Sequence, residues 1–298
     1  MQYLGLVFIV LMYLPITISN KITANETEDT IMLFKNSAFR SLLGIAVGVI
    51  SFVLSGAALT FDTNTILISL LFGIALGVCM VATFYAMQLT TMTTVYLFMI
   101  GATMISCVVG AVFFNEPFTI YNAIGLVILF VALYLVVGKS GEEKKKFGFK
   151  AFIACLLVFL TTGLGDVSFQ LFAKCTQDVN ESVFMLYSYI FQAIILVIVY
   201  YIFRAKEIKA KPDIVVPKLS AKLIIWGFVG VAVAYIGQQV TALLAGAFDA
   251  LVLFPLKNGS SIVVASIVGA VFFKEKLTVK SIVGIIISIL AITMINVL

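Results

Sequence analysis

The 298 residues include no histidine, only four cysteines, and charged residues at just 11% of positions. The missing histidine excludes His-based metal sites and the Ser-His or Cys-His pairs of nucleophilic enzymes. No G-x-x-x-x-G-K-[ST] loop occurs, which excludes ATP hydrolysis by that route. Hydrophobic residues make up 62% of the chain, which is more than a water-soluble globule of this length could bury. The high apolar content and the low charge together exclude a water-soluble globular protein.

What the chain has in abundance is long apolar runs. A helix needs about 20 mainly apolar residues to cross a bilayer, whereas a strand needs about 10 with strict alternation. The sequence therefore predicts an all-α integral membrane protein with ten transmembrane helices. The predicted spans are 3–19, 41–59, 65–88, 91–113, 119–138, 149–173, 182–203, 222–245, 250–273 and 278–297. The first run could alternatively be a secretory signal peptide, although it lacks a positively charged start.

Two segments of the chain resemble each other. Residues 110–137 match residues 269–296 at 10 of 28 positions, with an offset of 159 that is about half of the chain. Each half then holds five spans, and because five is odd the second half enters the membrane from the opposite side. We therefore expect two inverted five-helix repeats, at 1–138 and 149–298, joined by a basic linker at 139–148.

Basic residues are unevenly distributed among the predicted loops. Of the 19 lysines and arginines, 17 lie in or beside loops that follow odd-numbered spans, and Lys174 and Lys257 are the exceptions. By the positive-inside rule these loops are cytoplasmic and both termini face outward. The net charge of +5 then indicates membrane orientation, and no nucleic-acid partner is expected.

Polar residues inside apolar spans are the best candidates for a site, because burying one in hydrocarbon is costly unless it faces a cavity or a partner. Lys257 and Asn258 lie in the ninth span beside Pro255, where the sequence predicts a kink or local unwinding. Lys257 either faces a central cavity and binds an anionic or carbonyl group, pairs with Asp166, or snorkels to the interface.

A polar stripe runs along the sixth span through Asp166, Gln170 and Lys174, which are spaced one helical turn apart. These residues either contact substrate, with Asp166 as a possible proton acceptor, or form a hydrogen-bonded packing stripe. The candidate substrate-binding residues are Lys257, Asn258, Asp166, Gln170, Gln238, Gln239, Tyr85 and Tyr96. No catalytic residue, cofactor or metal is expected.

Small residues and two glutamates recur at regular positions. Two G-x-x-x-G pairs predict close helix packing. They are Gly44 with Gly48 and Gly73 with Gly77. Glu116 and Glu275 occupy matched positions in the two repeats, and we expect each to cap the helix that follows it.

Residues 163–166 match the G-x-G-D string of intramembrane aspartyl proteases. That chemistry needs two carboxylates that share a proton in one cavity. The other candidates, Asp62 and Asp249, lie at loop edges, and a four-residue match is weak evidence. We therefore expect no enzyme activity.

Two matched blocks resemble the paired signature of the EamA-type branch of the drug/metabolite transporter superfamily. The blocks are 112–119 with Gly125 and 271–278 with Gly284. Polar residues at the ends of the first and sixth spans are also similar to those of the family. They are Asn20 with Lys21 and Gln170 with Lys174. The resemblance implies a five-plus-five inverted repeat around a central cavity and export or exchange of small polar metabolites or drugs. It also implies cytoplasmic termini, whereas the loop charges indicate the reverse, and we follow the charges.

The functional prediction is a secondary transporter that moves a small polar metabolite or drug by alternating access, driven by a gradient or by exchange. Its expected location is the plasma membrane, or the inner membrane of a bacterium. The expected partners are a small-molecule substrate and the lipid bilayer. Whether the protein forms a homodimer is left as an open alternative. The alternative is a non-transporting membrane protein such as a lipid scramblase or flippase subunit.

Overall fold

The computed structural model describes residues 2–27, 29–136, 148–176, 179–210, 218–275, 279, 282–287 and 290–291. Within them the regular structure is helical and no strand occurs, which confirms the prediction of helices. The helices are α1 (Gln2–Glu26), α2 (Thr30–Ser55), α3 (Thr63–Leu89), α4 (Met92–Gly101), α5 (Thr103–Phe113), α6 (Ile120–Val136), α7 (Phe149–Cys175), α8 (Glu181–Ala210), α9 (Ala221–Ala245) and α10 (Ala250–Phe273).

Eight segments of the described chain are long and apolar enough to cross a membrane, as in a multi-pass membrane protein. They correspond to predicted spans one to four and six to nine, and the fourth consists of α4 and α5 together. Helix α6 coincides with the fifth predicted span but has only 17 residues. The tenth predicted span, 278–297, lies outside the described residues except for helical positions at 279, 282–287 and 290–291. The linker 139–148 lies outside them except for Gly148.

The first two helices are longer than predicted. Helix α1 continues past residue 19 to Glu26, and α2 begins at Thr30 rather than at 41. Lys21, Lys35 and Arg40, which the sequence analysis assigned to a loop, are therefore helical. Hydropathy ended these spans too early because Lys21 and Arg40 find protein partners that replace water.

The helices pack around one another in a recurring pattern. Helix α1 packs on α9 and α10, α2 on α8 and α9, and α3 on α7 and α8. Helix α10 also packs on α4 and α5, and these two in turn pack on α7. Apolar side chains fill the space between them, with a run of aromatic rings where α3, α7 and α8 meet. Phe184 in this run stacks on Phe172 with ring centroids 4.4 Å apart and on Phe72 at 5.5 Å.

The G-x-x-x-G pairs do allow close helix packing, as predicted. A Cβ added to Gly73 would lie 2.6 Å from the backbone oxygen of Ser188 and 2.9 Å from the Cβ of Phe191, so α3 and α8 are in backbone contact there. A Cβ on Gly44 of α2 would likewise overlap the ring of Tyr189 on α8. Both pairs therefore position α8, which carries cavity-lining side chains described below.

The replacement Gly73→Ala is expected to destabilise the protein by about 1–3 kcal/mol, because the added methyl group forces two helices apart. The fraction unfolded in an SDS titration of the purified protein measures this. The matched control is Gly77→Ala on the same helix, where the added Cβ would lie 3.5 Å from the Cγ of Gln192 in ordinary contact. Equal stabilities of the two variants would contradict the close-packing explanation.

Candidate functional site

The centre of the candidate site is an ion pair between α7 and α10. Lys257 Nζ lies 2.5 Å from Asp166 Oδ1, and only 1% of the Asp166 side chain is exposed. Asn258, the next residue on α10, donates from Nδ2 to Asp166 Oδ2 at 2.7 Å and to Thr103 Oγ1 at 3.1 Å. Both carboxylate oxygens of Asp166 thus receive a hydrogen bond, as a buried carboxylate requires.

The fourth span, not the ninth, is interrupted beside this pair. Helix α10 is continuous through Pro255, so the predicted unwinding there is wrong. The interruption is slight, because Ala102 keeps helical φ and ψ angles of −59° and −23°, and its N–H donates to the oxygens of both Phe98 (3.1 Å) and Met99 (3.2 Å) before α5 begins at Thr103. Pro255 sits only in the second turn of α10, where the side-chain bonds of Lys257 and Asn258 to α7 help to hold the helix.

Two cavities open next to the ion pair and share part of their walls. The first, with a volume of about 180 Å³, is lined by Asp166, Lys257, Asn258 and Gln238 among mainly apolar side chains. The second, of about 140 Å³, is also mainly apolar and has Arg40, Asn20 and Gln192 among its lining residues. Six residues line both. They are Ile16, Leu76, Cys79, Met99, Ala234 and Gln238. The two cavities therefore adjoin each other, and together they are called the chamber below.

Two aromatic rings flank Lys257, and one of them, Phe169, lines the first cavity. The Nζ of Lys257 lies 5.4 Å from the ring centroid of Phe169 and 5.3 Å from that of Phe254. These rings stabilise the ammonium group from the sides that Asp166 does not reach. Lys257 therefore faces the chamber and forms the Asp166 ion pair at once, which combines two of the alternatives that the sequence left open.

Four of the eight candidate residues line the chamber: Asp166, Gln238, Lys257 and Asn258. The other four are not among the residues that line these two cavities, and substrate binding by any of the eight stays a prediction. Gln170 donates from Nε2 to the backbone oxygen of Ser106 at 3.0 Å and so ties α7 to α5. Lys174, one turn further along α7, contacts Glu116. Gln170 and Lys174, the end of the polar stripe on α7, therefore hold helices together.

Gln239, Tyr85 and Tyr96 point elsewhere. Gln239 accepts a hydrogen bond from Ser51 Oγ at 2.7 Å, because the residue after Gln238 is turned by about 100° around the helix axis. Tyr85 is 38% exposed. Tyr96 is buried in the apolar core, with its hydroxyl 3.1 Å from Thr17 Oγ1.

Glu116 does not cap α6, the helix that follows it, and the helix start that follows Glu275 lies outside the described residues. Glu116 accepts the N–H of Ala250 at 2.9 Å, at the first residue of α10. Glu275 accepts the N–H of Met92 at 3.1 Å, at the first residue of α4. Each carboxylate therefore caps a helix of the opposite half, where the positive end of the helix dipole stabilises it.

A lysine completes each of these two contacts. Lys21 Nζ, at the end of α1, lies 2.5 Å from Glu275 Oε1, and both side chains are buried. Lys174 Nζ, at the end of α7, lies 3.5 Å from Glu116 Oε1, and its side chain is 39% exposed. We call the sets Lys21–Glu275–Met92 and Lys174–Glu116–Ala250 the two end clamps.

Glu116 and Glu275 follow backbone turns of the same conformation, which set the direction of their side chains. Asn115 and Lys274, one residue before each, have positive φ angles of 53° and 54°. The N–H of Glu116 donates to the Gly110 oxygen at 3.1 Å, and the N–H of Glu275 donates to the Gly269 oxygen at 2.9 Å. These are helix-ending turns that leave the glutamate pointing back along its own helix. The repeated sequence blocks therefore encode a repeated turn.

Asp62 caps the start of a helix and does not take part in the ion pair that Asp166 forms. It precedes α3, and its carboxylate accepts the backbone N–H of Thr65 at 2.8 Å and the Thr65 hydroxyl at 2.8 Å. These hydrogen bonds hold the pKa of Asp62 below its usual range. Asp249 is likewise the N-cap residue of α10. Both therefore lie at helix starts and neither lines the chamber.

Sequence reasoning missed several chamber residues. Arg40 was assigned to a loop, and Gln192 and Tyr189 of α8 were not singled out, yet all three line the second cavity. Tyr13 of α1 lines the first. The sequence did contain a signal for Arg40: it lies within one helical turn of an apolar run and follows Asn36 and Ser37, as expected for a polar helix face. A hydropathy window instead treats such an arginine as the boundary of a span.

Comparison with known proteins bears on the fold alone. No protein-family model and no characterised protein matches the sequence. Among solved structures, 28 chains match. One of these, described only as "Crystal structure of protein", has a TM-score of 0.67 and covers 98% of this chain and 95% of that chain, at 13% sequence identity. Such a likeness shows a shared fold and carries no activity with it.

The replacement Lys257→Met is expected to cost about 3–5 kcal/mol of stability, because it leaves the Asp166 carboxylate buried without its cation. The double replacement Asp166→Asn with Lys257→Met removes both charges and should recover most of that loss. SDS titration measures both variants. As a control, Lys222→Met breaks the exposed pair with Glu26 and should cost less than about 1 kcal/mol. An additive double mutant would contradict direct coupling.

Proposed function

We propose that this chain is a secondary transporter that moves a small polar metabolite or drug across a membrane by alternating access, driven by a gradient or by exchange. The observation that carries the proposal is the chamber, a partly polar cavity inside an apolar helix bundle, with one end clamp at either end of the helices that enclose it. Charged and polar side chains are costly among apolar helices, and a mainly apolar cavity in which a few of them converge is the usual form of a small-molecule site, which supports the proposal.

The proposal includes two inverted repeats of five spans, for which the helix contacts give two kinds of support. First, the helix–helix contacts are nearly symmetric: if each span is replaced by the span five places further along or back in the chain, most contacting pairs become other contacting pairs. The pairs α1 with α9 and α3 with α7 exchange in this way, as do α2 with α9 and α3 with α8. Second, the end of α5 meets the start of α10, and the end of α10 meets the start of α4. The fourth and ninth spans, which are equivalent in the proposed repeat, thus run antiparallel, which supports inversion.

The two end clamps differ in a way that suits alternating access. The Lys21–Glu275 contact is short and buried, whereas the Lys174–Glu116 contact is longer and its lysine is partly exposed. If the halves are equivalent, the reverse arrangement has a similar free energy and closes the other end. Exchange between the two arrangements would expose the chamber to one side of the membrane and then to the other.

Membership of the EamA-type branch of the drug/metabolite transporter superfamily is part of the proposal. It is supported by the resemblance of the two sequence blocks and by the matched turns in which their glutamates lie. The proposal extends to ten spans and to a location in the plasma membrane.

Solute counterflow in proteoliposomes tests the function. A panel of labelled amino acids, organic acids, sugars, nucleosides and cationic drugs is exchanged against the same unlabelled compounds. The replacement Ala234→Phe should abolish counterflow of the active compound, because Ala234 lines both cavities and a phenyl group there fills the chamber. The matched control Ile236→Phe lies on the exposed face of the same helix and should retain exchange.

Two outcomes would contradict the proposal. Equal counterflow in both phenylalanine variants would mean that solute does not pass through the chamber. Movement of fluorescent lipid between leaflets, with no counterflow of any soluble compound, would favour the scramblase alternative.

Alternating access makes a separate prediction for Cys79, which lines both cavities. In a variant with Cys107, Cys155 and Cys175 replaced by alanine, an impermeant thiol reagent should label Cys79 mainly from the Lys174 side. The further replacement Glu275→Gln removes the charge of the buried clamp and should increase labelling from the Lys21 side by about tenfold, the effect of about 1.4 kcal/mol on the equilibrium. Labelling rates in inside-out and right-side-out vesicles measure this.

The control is Glu26→Gln, which breaks the exposed contact with Lys222 at the same end of α1. It should leave the labelling rates unchanged. If Glu275→Gln behaves like Glu26→Gln, the buried clamp does not close the chamber.

A further inference from the structure

The chamber holds two cationic side chains but only one of them is neutralised. Lys257 is paired with Asp166. Arg40, in the second cavity, is only 3% exposed, and no carboxylate of the described residues forms an ion pair with it. An arginine keeps its charge in proteins, so the chamber carries one unneutralised positive charge.

Neutral groups hold Arg40 from one side. Its Nη1 donates to Ser19 Oγ at 2.9 Å and to Thr23 Oγ1 at 3.1 Å, both on α1. Its Nη2 reaches Asn20 Oδ1 only at the limiting distance of 3.5 Å, and its Nε has no hydrogen-bond partner. The guanidinium is therefore oriented by α1 while part of its donor set stays unused, which is costly in a buried site.

The neighbouring elements make room for the guanidinium and keep it from solvent. The guanidinium carbon lies 5.1 Å from the ring centroid of Phe84 on α3. On α9, a Cβ at Gly230 would lie 2.8 Å from Nη2, so only glycine fits beside the charge. These contacts fix the position of Arg40 without supplying an anion.

A second unpartnered polar atom lies in the same cavity. Gln192, which is 2% exposed, has no hydrogen-bond partner at Oε1. Arg40 lacks an acceptor and Gln192 lacks a donor, so the two vacancies are complementary. A molecule in the cavity that carries an oxyanion and a hydroxyl or amino group would offer what each side chain lacks, after a small rotation of the Gln192 amide toward it.

We propose that the second cavity is a binding site for a small organic anion, whose carboxylate or phosphate group binds Arg40 and whose hydroxyl or amino group donates to Gln192. This inference rests on the proposed transport function, because it names the substrate class of the same chamber. It moves the role of anion anchor, which the sequence suggested for Lys257, to Arg40, since the charge of Lys257 is already neutralised.

Thermal unfolding of the purified protein in detergent tests the site without requiring transport. The anionic probes are lactate, serine, glycerol phosphate and inorganic phosphate, and the controls at matched ionic strength are glycerol, putrescine and sodium chloride. At least one anionic probe should raise the Tm of the wild type in a saturable manner, by mass action. The carboxylate and phosphate arms identify which oxyanion is preferred.

In Arg40→Gln the stabilisation should disappear, or its midpoint concentration should rise at least tenfold. It should persist in Arg204→Gln, a matched replacement on α8 outside both cavities. Ligand-free Arg40→Gln should unfold no earlier than the wild type, because it loses an unneutralised buried charge. If that variant does not fold, Arg40→Lys replaces it, since a lysine retains the charge but not the forked geometry and should weaken binding.

Three results would overturn the inference: no anionic probe shifts the Tm of the wild type, Arg40→Gln keeps the full shift, or only glycerol or putrescine stabilises. A shift produced by phosphatidylglycerol in the micelles and by none of the soluble anions would also overturn it, in favour of a lipid headgroup.

The counterflow assay separates this inference from the proposed function. Arg40-dependent anion binding without any solute exchange would leave the site standing and refute transport. Exchange of neutral or cationic solutes that does not depend on Arg40 would support transport and refute the anion site.

Discussion

A charge buried among apolar helices is stable only beside an opposite charge or a full set of hydrogen-bond partners, and this requirement organises the bundle. The two end clamps meet it across the two halves of the chain. Glu116 belongs to the first half but takes its partners, Lys174 and the N–H of Ala250, from the second. Glu275 does the reverse with Lys21 and the N–H of Met92. Separating the halves at either end therefore removes the partners of a buried carboxylate.

The same requirement explains why the chamber is asymmetric although two segments of the chain match at an offset of 159. Position 257 carries a lysine where the offset of 159 places Phe98 in the first repeat. That lysine needed a carboxylate, and Asp166 on α7 provides it. Around Arg40 the requirement is met only in part, by hydroxyl and amide groups of α1. Among the described residues of the chamber, Arg40 is thus the cation for which we propose a partner from outside the chain.

Sequence reasoning worked where a residue type allows few alternatives. A lysine and an aspartate within apolar spans have few stable arrangements, and their pairing was among those anticipated. It failed where neighbouring residues of the same type face different ways. Gln238 lines the chamber and Gln239 bonds Ser51, yet nothing in the sequence separates them. It failed also at Arg40, since a hydropathy window cannot distinguish a helical arginine with buried partners from one in a loop.

Composition and the internal repeat by themselves determined that the chain is helical, that its helices are long enough for a membrane, and that two halves share a signature ending in glutamate. These properties follow from local sums of apolar residues and from identity between segments, which need no knowledge of neighbours. Only the tertiary structure decided which helix start each glutamate caps, that the fourth span is slightly interrupted at Ala102, and which polar groups share a chamber. Those outcomes depend on contacts between residues far apart in the chain, where the direction of a side chain and the space beside it are set by packing rather than by sequence spacing.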